Sequence, residues 1–283
     1  MIPKKTIRNT SMRSSNRFEI LCVTMHQTDF SKIEEMNIRS DVVFANQADT
    51  TAYKEIEFDG KRAKMITTST RGVGINRNLA LTFANAEICL FADDDVKYVD
   101  NLENIILQEF DSHPDADVFI FHLDTDDNER QQIKYTKTRY HGRFERMPWG
   151  GFRIAVRLDS IRKANLWFTT LFGGGCIFPS GEDSMWLIDA KRKGLKFYVS
   201  KETIGTVSFN ESTWFTGADE KFYFGKGAFY ASVHSKTFIP WMLYFASRTR
   251  HSKKLSFVQK IKWMKLGKQG YLEMKGFSEF SEK

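Results

Sequence analysis

The sequence predicts an α/β fold: a mainly parallel sheet with helices on both faces. Three observations carry that expectation. Short apolar runs recur, FEILCVTM at Phe18–Met25, DVVFAN at 41–46, EICLFA at 87–92 and DVFIFHL at 117–123, as buried parallel strands require. Stretches with helical spacing separate several of them. The strongest of the runs ends in three consecutive acids, Asp93-Asp94-Asp95, and open α/β sheets bind ligands at the carboxyl ends of their strands.

The elements follow in order. Phe18–Met25 is the first strand and residues 41–46 the second; RAKMITT at 62–68 is a weaker third. Residues 76–85 (NRNLALTFAN) read as a short helix with Leu79, Ala80 and Phe83 on one face. After the 87–92 strand, residues 100–110 carry Leu102, Ile105, Ile106 and Phe110 at helical spacing. Asp100 is the expected N-cap, with Glu103 three residues on. Residues 117–123 form the next strand, and 124–146, polar and without period, a long loop or hairpin. RIAVRL at 153–158 alternates like a half-exposed strand, and 159–165 is a short helix. Gly173-Gly174-Gly175 marks a flexible or close-approach segment. Residues 181–194 form a helix with Gly194 as its C-cap, followed by a strand at 195–200. The expected organisation is a basic segment at 1–17, one α/β domain over 18–237, and a helical extension over 238–283.

The chain has 283 residues, 41% hydrophobic, 14% aromatic and only five prolines, which excludes a disordered, collagen-like or low-complexity protein. Three scattered cysteines, Cys22, Cys89 and Cys176, make no disulfide framework and favour a reducing compartment. The N-terminal cations precede no apolar signal-peptide core, and no apolar run reaches the ~18–20 residues that span a bilayer. The expected location is cytoplasmic, soluble or peripheral on a membrane. The net charge of +7 sits mostly at the ends, with five cations and no acid in residues 1–17, and ten Lys or Arg against three Glu from Arg248 onward. Such clusters fit either nucleic-acid binding or solvated basic tails.

Three constellations carry chemistry. Asp93-Asp94-Asp95 would repel one another without a cation; as hard oxygen ligands they suit Mg²⁺ or Mn²⁺ that also holds substrate phosphates. Arg71-Gly72-Val73-Gly74-Ile75-Asn76-Arg77-Asn78 leads into a helix, and its glycines, arginines and helix start suit a diphosphate. Gly181-Glu182-Asp183 opens a helix after the glycine-rich segment and holds a carboxylate rigidly, as a general base requires. Read singly, these are an acidic turn, a glycine turn and dipole-complementing acids. His122 lies inside an apolar strand and reads as a satisfied core residue.

Together, in this order, they resemble the family 2 glycosyltransferases of the Rossmann-like GT-A fold. The likeness runs from Phe18 to Trp214 through FEILCVTMHQTDF, FANQAD, GVGINRNLALTFANAEICLFADDDV, GGGCIFPSGEDSMWLIDAKRKGLKFYVS and ESTWF, the last resembling bacterial capsule and surface-polysaccharide transferases. The resemblance implies that Asp95 is a direct metal ligand and Asp93 a ribose or metal contact, with Asp94 beside them on the nucleotide side. It implies that Asp183 is the catalytic base, with Glu182 next to it. Thr24, on the loop after the first strand, and Asp49, after the second, match positions that cradle the base and ribose, and Arg77 a position facing the nucleotide. The implied reaction is inverting transfer of a sugar from a nucleotide-diphosphate donor, a UDP-sugar, to a hydroxyl of a glycan or lipid-linked acceptor, assisted by Mn²⁺ or Mg²⁺. Many relatives complete the metal site with a histidine, but Thr206-Val207-Ser208-Phe209 stands there instead.

Other readings are a sugar-1-phosphate nucleotidyltransferase, whose N-terminal glycine-rich signature residues 1–25 lack, and a basic nucleic-acid module, which the clustered acids oppose. The C-terminal stretches FIPWMLYF and FVQKIKWMKL mix aromatics with cations, as a segment lying on an anionic membrane does. A helix packed on the core or against a dimer partner has the same pattern.

Overall fold

The computed structural model describes residues 16–125, 134–142, 145, 153–207, 218–248 and 255–281. The expectations placed on Ser208 and Phe209, on ESTWF at 211–215, on residues 1–15 of the N-terminal basic segment and on residues 249–254 of the C-terminal one lie outside the described residues.

Among the described residues, ten strands form one sheet: β1 (Phe18–Met25), β2 (Asp41–Gln47), β3 (Ala52–Phe58), β4 (Lys61–Thr68), β5 (Ile88–Asp93), β6 (Val96–Tyr98), β7 (Val118–Thr125), β8 (Arg139–Tyr140), β9 (Ile154–Arg157) and β10 (Phe197–Val207). Their order is β3-β4-β2-β1-β5-β9-β7-β10-β6, with β8 pairing β10. The sheet is mixed. β4-β2-β1-β5 and β7-β10 pair in parallel, whereas β9 runs antiparallel between β5 and β7. Because β1, β2, β4 and β5 run the same way, Thr24, Gln47, Thr68 and Asp93 all reach one edge.

The helices are α1 (Lys32–Glu35), α2 (Val73–Phe83), α3 (Leu102–Ser112), α4 (Leu158–Lys163), α5 (Glu182–Arg192), α6 (Glu220–Val233), α7 (Phe238–Arg248), α8 (Phe257–Glu273) and α9 (Ser278–Ser281). One face of the sheet packs Ile20, Phe44 and Phe119 against Ile106 and Phe110 of α3. The other packs Leu21, Val43 and Phe91 against Leu81 of α2, Ile161 of α4 and Trp186 of α5. The result is the three-layer arrangement the sequence predicts.

Several details differ from expectation. β3 is exposed along almost its whole length, so no apolar alternation announces it; it forms a hairpin with β4 across Asp59-Gly60. β9 is buried between two strands, not half-exposed, because both its neighbours are core strands. Asp100 does not cap α3. Asn101 holds that position, and Asp100 accepts a hydrogen bond from Asn37 (2.9 Å) and pairs with Arg39 (3.3 Å). α2 starts at Val73, three residues before the expected helix. His122 is buried in the core as expected, and its Nε2 accepts the Tyr135 backbone N–H at 2.6 Å, but its Nδ1 has no hydrogen-bond partner among the described residues, so it is satisfied at one nitrogen only.

A third cluster joins Phe172 and Phe178 to Phe224 of α6, Met242 of α7, and Trp263 and Met264 of α8. α6 and α8 approach so closely that a Cβ on Gly227 would lie 2.1 Å from the Met264 carbonyl oxygen, and one on Gly267 only 1.9 Å from that of Phe224. α8 is thus docked, its Trp263 and Met264 facing inward. α7 instead exposes Ile239, Leu243 and Tyr244.

Candidate functional site

The acidic turn leaves the carboxyl end of β5. Asp93 is the last strand residue, and Asp94 and Asp95 follow in the turn to β6. Thr24 lies inside β1, one residue before its end, rather than on the following loop, and its hydroxyl donates to Asp94 Oδ2 at 2.5 Å. Lys32 of α1 donates to the Asp94 carbonyl at 3.3 Å. The acidic turn is therefore tied to the first strand and first helix. Desolvation, then the charges of Asp93 and Asp94, push the Asp95 carboxyl up to about 6. Its surface is nevertheless open to solvent, where screening tempers that repulsion.

The glycine-bearing turn lies beside it. Gln47, ending β2, accepts the Gly72 N–H at 2.7 Å, and Asn76 donates to the Ala45 carbonyl at 3.2 Å, anchoring the start of α2 to the sheet edge. Val73 N–H donates to the Gly174 carbonyl at 3.0 Å, so the triple-glycine segment is a close approach. Asp49 and Arg71 form an exposed ion pair on the neighbouring loops. Asp49 thus lies along the same edge but makes no contact with the acidic turn among the described residues.

Arg77, itself in the glycine-bearing stretch, joins the other two constellations. Its Nη2 lies 3.0 Å from Asp93 Oδ1 and its Nη1 3.0 Å from Glu182 Oε1, and the guanidinium sits 5.3 Å from the Phe168 ring. The side chain is only 4% exposed. Burial alone would lower its pKa, but the charges of Asp93, Glu182 and Asp183 outweigh that and hold it above the usual arginine value. Burial, then the Asp183 charge, raise the Glu182 carboxyl, and Arg77 opposes them. Removing one member of such a buried set typically costs about 3–5 kcal/mol.

The two adjacent carboxylates at the start of α5 differ sharply. Glu182 has both oxygens engaged, Oε1 by Arg77 and Oε2 by the Gly181 N–H at 3.2 Å. Asp183 is half-buried. Its Oδ1 accepts the Ser184 N–H (2.6 Å) and hydroxyl (3.3 Å), while its Oδ2 accepts no hydrogen bond among the described residues. Two cations not anticipated from the sequence lie within electrostatic reach of Asp183. Burial pushes the Arg153 guanidinium down to about 10, with Tyr135 and Asp183 opposing. Lys226 of α6, held near the Phe222 and Phe229 rings at 5.4 and 5.7 Å, is lowered by burial against the pull of Asp183 and Glu182. No local motif marks either one; each lies far from Asp183 in sequence.

Among the described residues, no group of three or more His, Cys, Asp or Glu is arranged to hold a metal ion. The donor set fits a different arrangement. The mutual repulsion at Asp95 suits a hard cation completed by phosphate oxygens and water, not one caged by protein alone. Asp95 and Asp93 would hold it.

Residues 40–168 match the family model described as Glycosyl transferase family 2. A comparison with curated proteins found no match. Among solved structures, S. aureus TarS 1-349 in complex with UDP-GlcNAc is similar at 16% identity and TM-score 0.55, over 94% of this chain and 76% of that one. S. aureus TarS 1-349 in complex with UDP matches at 14% identity and TM-score 0.56, over 92% and 93% respectively. At these identities the structures establish a common fold.

Proposed function

We propose that this chain, a family 2 glycosyltransferase of the GT-A fold, moves a sugar from a UDP-sugar to a hydroxyl of a glycan or lipid-linked acceptor, with inversion, in bacterial surface-polysaccharide synthesis. The TarS structures hold UDP-GlcNAc and UDP, which supports uridine diphosphate as the carrier. The observation that carries the reading is the division between the adjacent carboxylates. Glu182 has both oxygens engaged, while Asp183 keeps one oxygen without a hydrogen bond among the described residues. Asp183 is the general base that takes the acceptor proton, and Glu182 supports it. Thr24, Asp49, Asp93 and Asp94 line the donor side. Mn²⁺ or Mg²⁺ at Asp95 and Asp93 would supply positive charge against the departing diphosphate.

A panel of UDP-, GDP- and CDP-sugars, each with and without Mn²⁺, tests this. The expected result is cation-dependent release of a nucleoside diphosphate from one of them, with Asp95→Ala losing the cation dependence of donor binding in calorimetry. Pyrophosphorolysis to a nucleoside triphosphate, or inertness toward the whole panel, would overturn it.

The membrane reading narrows to α7 and the start of α8. No helix among the described residues is long and apolar enough to cross a membrane. α7, however, exposes Ile239, Trp241, Leu243 and Tyr244 above Arg248, and α8 begins with exposed Phe257 and Val258. This amphipathic face and the sequence cations around it support peripheral binding to the anionic inner face of the cell membrane. Flotation with phosphatidylglycerol vesicles should retain the wild type at low salt and release Trp241→Ser/Leu243→Ser; equal flotation of the two would exclude α7.

A further inference from the structure

Arg77 stands where a donor contact was expected, yet its side chain is only 4% exposed, and its Nε–H is buried with no hydrogen-bond partner among the described residues, so it turns no open face to a donor. Both terminal nitrogens are committed at 3.0 Å, one to Asp93 at the end of β5 and one to Glu182 at the start of α5. Its guanidinium carbon lies 5.3 Å from the centroid of the Phe168 ring. Asn78, the next residue of α2, fixes that ring's backbone from both sides: its Oδ1 accepts the Phe168 N–H at 2.8 Å and its Nδ2 donates to the Phe168 carbonyl at 2.9 Å. Glu182 is confined on its other flank by Gly173, where a Cβ would come within 2.9 Å of the carboxylate. Three segments distant in sequence therefore meet on one sealed guanidinium.

We infer that Arg77 is a positioning residue: a rigid fork that sets the separation between the acidic turn and the helix carrying Asp183. This deepens, and rests on, the glycosyltransferase reading above. A planar guanidinium can bridge two carboxylates at once, whereas a lysine ammonium, a point charge on a flexible stem, cannot hold both in a fixed geometry. The strut keeps Glu182 engaged so that its neighbour Asp183, on the same first turn, presents in one orientation the oxygen that accepts no hydrogen bond among the described residues. A 1 Å misplacement of a reacting group can cost ~10²-fold in rate, so the fork acts on turnover rather than on donor affinity.

The test measures kcat, donor KM and the UDP dissociation constant with Mn²⁺ for Arg77→Lys, Glu182→Gln and the double variant. Arg77→Lys should lower kcat about 10²-fold while KM and UDP affinity stay within about threefold. The double variant should be no worse than the poorer single one, since both break one unit. Guanidinium at millimolar concentration should partly restore Arg77→Ala, as it would not for a protein that has merely unfolded. A tenfold weaker UDP affinity with unchanged kcat would make Arg77 a donor contact and overturn the proposal, as would wild-type kcat in Arg77→Lys. Hydrogen exchange supplies a readout without turnover. Arg77→Lys should speed exchange together in residues 93–96 and 182–186, and a change confined to α2 would also overturn it. If the wild type releases nucleotide from no sugar donor but exchange responds in both segments, the function reading fails and the strut stands.

Discussion

Replacing Gly173 by alanine should be far more damaging than an equivalent change elsewhere, and the structure separates the reasons. Gly173 has φ of +108°, and a Cβ there would lie 2.6 Å from Val73 Cγ1 and 2.9 Å from Glu182 Cδ and Oε2. Val73 is a β-branched residue at the start of α2 and Glu182 is pinned by Arg77, so neither neighbour yields cheaply. Gly194 shares the backbone problem, with φ of +85°, but has nothing within 4 Å of its would-be Cβ. Gly194→Ala therefore isolates the left-handed backbone penalty, about 1 kcal/mol or slightly more. Gly173→Ala adds an overpacking term of about 1–3 kcal/mol. With roughly 2–4 °C of melting temperature per kcal/mol at this size, Gly194→Ala should melt about 2–5 °C low and Gly173→Ala about 5–15 °C low. Circular dichroism melts of both variants beside the wild type read this directly. Donor hydrolysis on the same samples should fall for Gly173→Ala, which displaces Glu182, and stay near wild type for Gly194→Ala. Equal melting shifts, or full activity in Gly173→Ala, would refute the account of this cradle.

His122 is held neutral, because burial first and the Arg153 charge next lower its pKa below the usual 6.5. A base whose folded value is depressed contributes stability that is complete above about 6.5 and lost as pH falls through the folded value. Urea midpoints should therefore drop between pH 7.5 and pH 5, and His122→Gln, which keeps an acceptor for Tyr135, should flatten that drop; an unchanged slope would count against the assignment. At the α6–α8 crossing, Gly267→Ala sets a methyl against the Phe224 backbone, which cannot rotate away. It should cost at least about 3 kcal/mol and expose residues 257–273 to limited proteolysis; a protected α8 would show the crossing to be looser than described.

What was legible in the sequence follows from where the physics is local. FEILCVTM and EICLFA read as strands because each is buried on both faces of a sheet, so nearly every position in them is apolar, Glu19, Thr24 and Glu87 excepted. The acidic triplet followed, since carboxylates at the end of such a run must face an open edge. β3 escaped notice because an exposed edge strand can carry Lys54, Glu55 and Glu57 without penalty; only pairing with β4 reveals it. Arg77 was found as a candidate from its place beside the glycine turn. Its actual partner Glu182 is 105 residues away, and no local pattern encodes that. The same holds for Arg153 and Lys226, two cations that only the folded chain brings into range of Asp183.

Asp183→Asn is the most direct test of the claim that this carboxylate is the base. Asparagine keeps the size of the side chain and its place on the first turn of α5, and it can still accept the Ser184 N–H. It cannot take a proton. Transfer to an acceptor should fall about 10²–10⁴-fold, while the UDP dissociation constant measured by calorimetry with Mn²⁺ stays within about threefold of wild type. Transfer at the wild-type rate in Asp183→Asn would contradict the assignment.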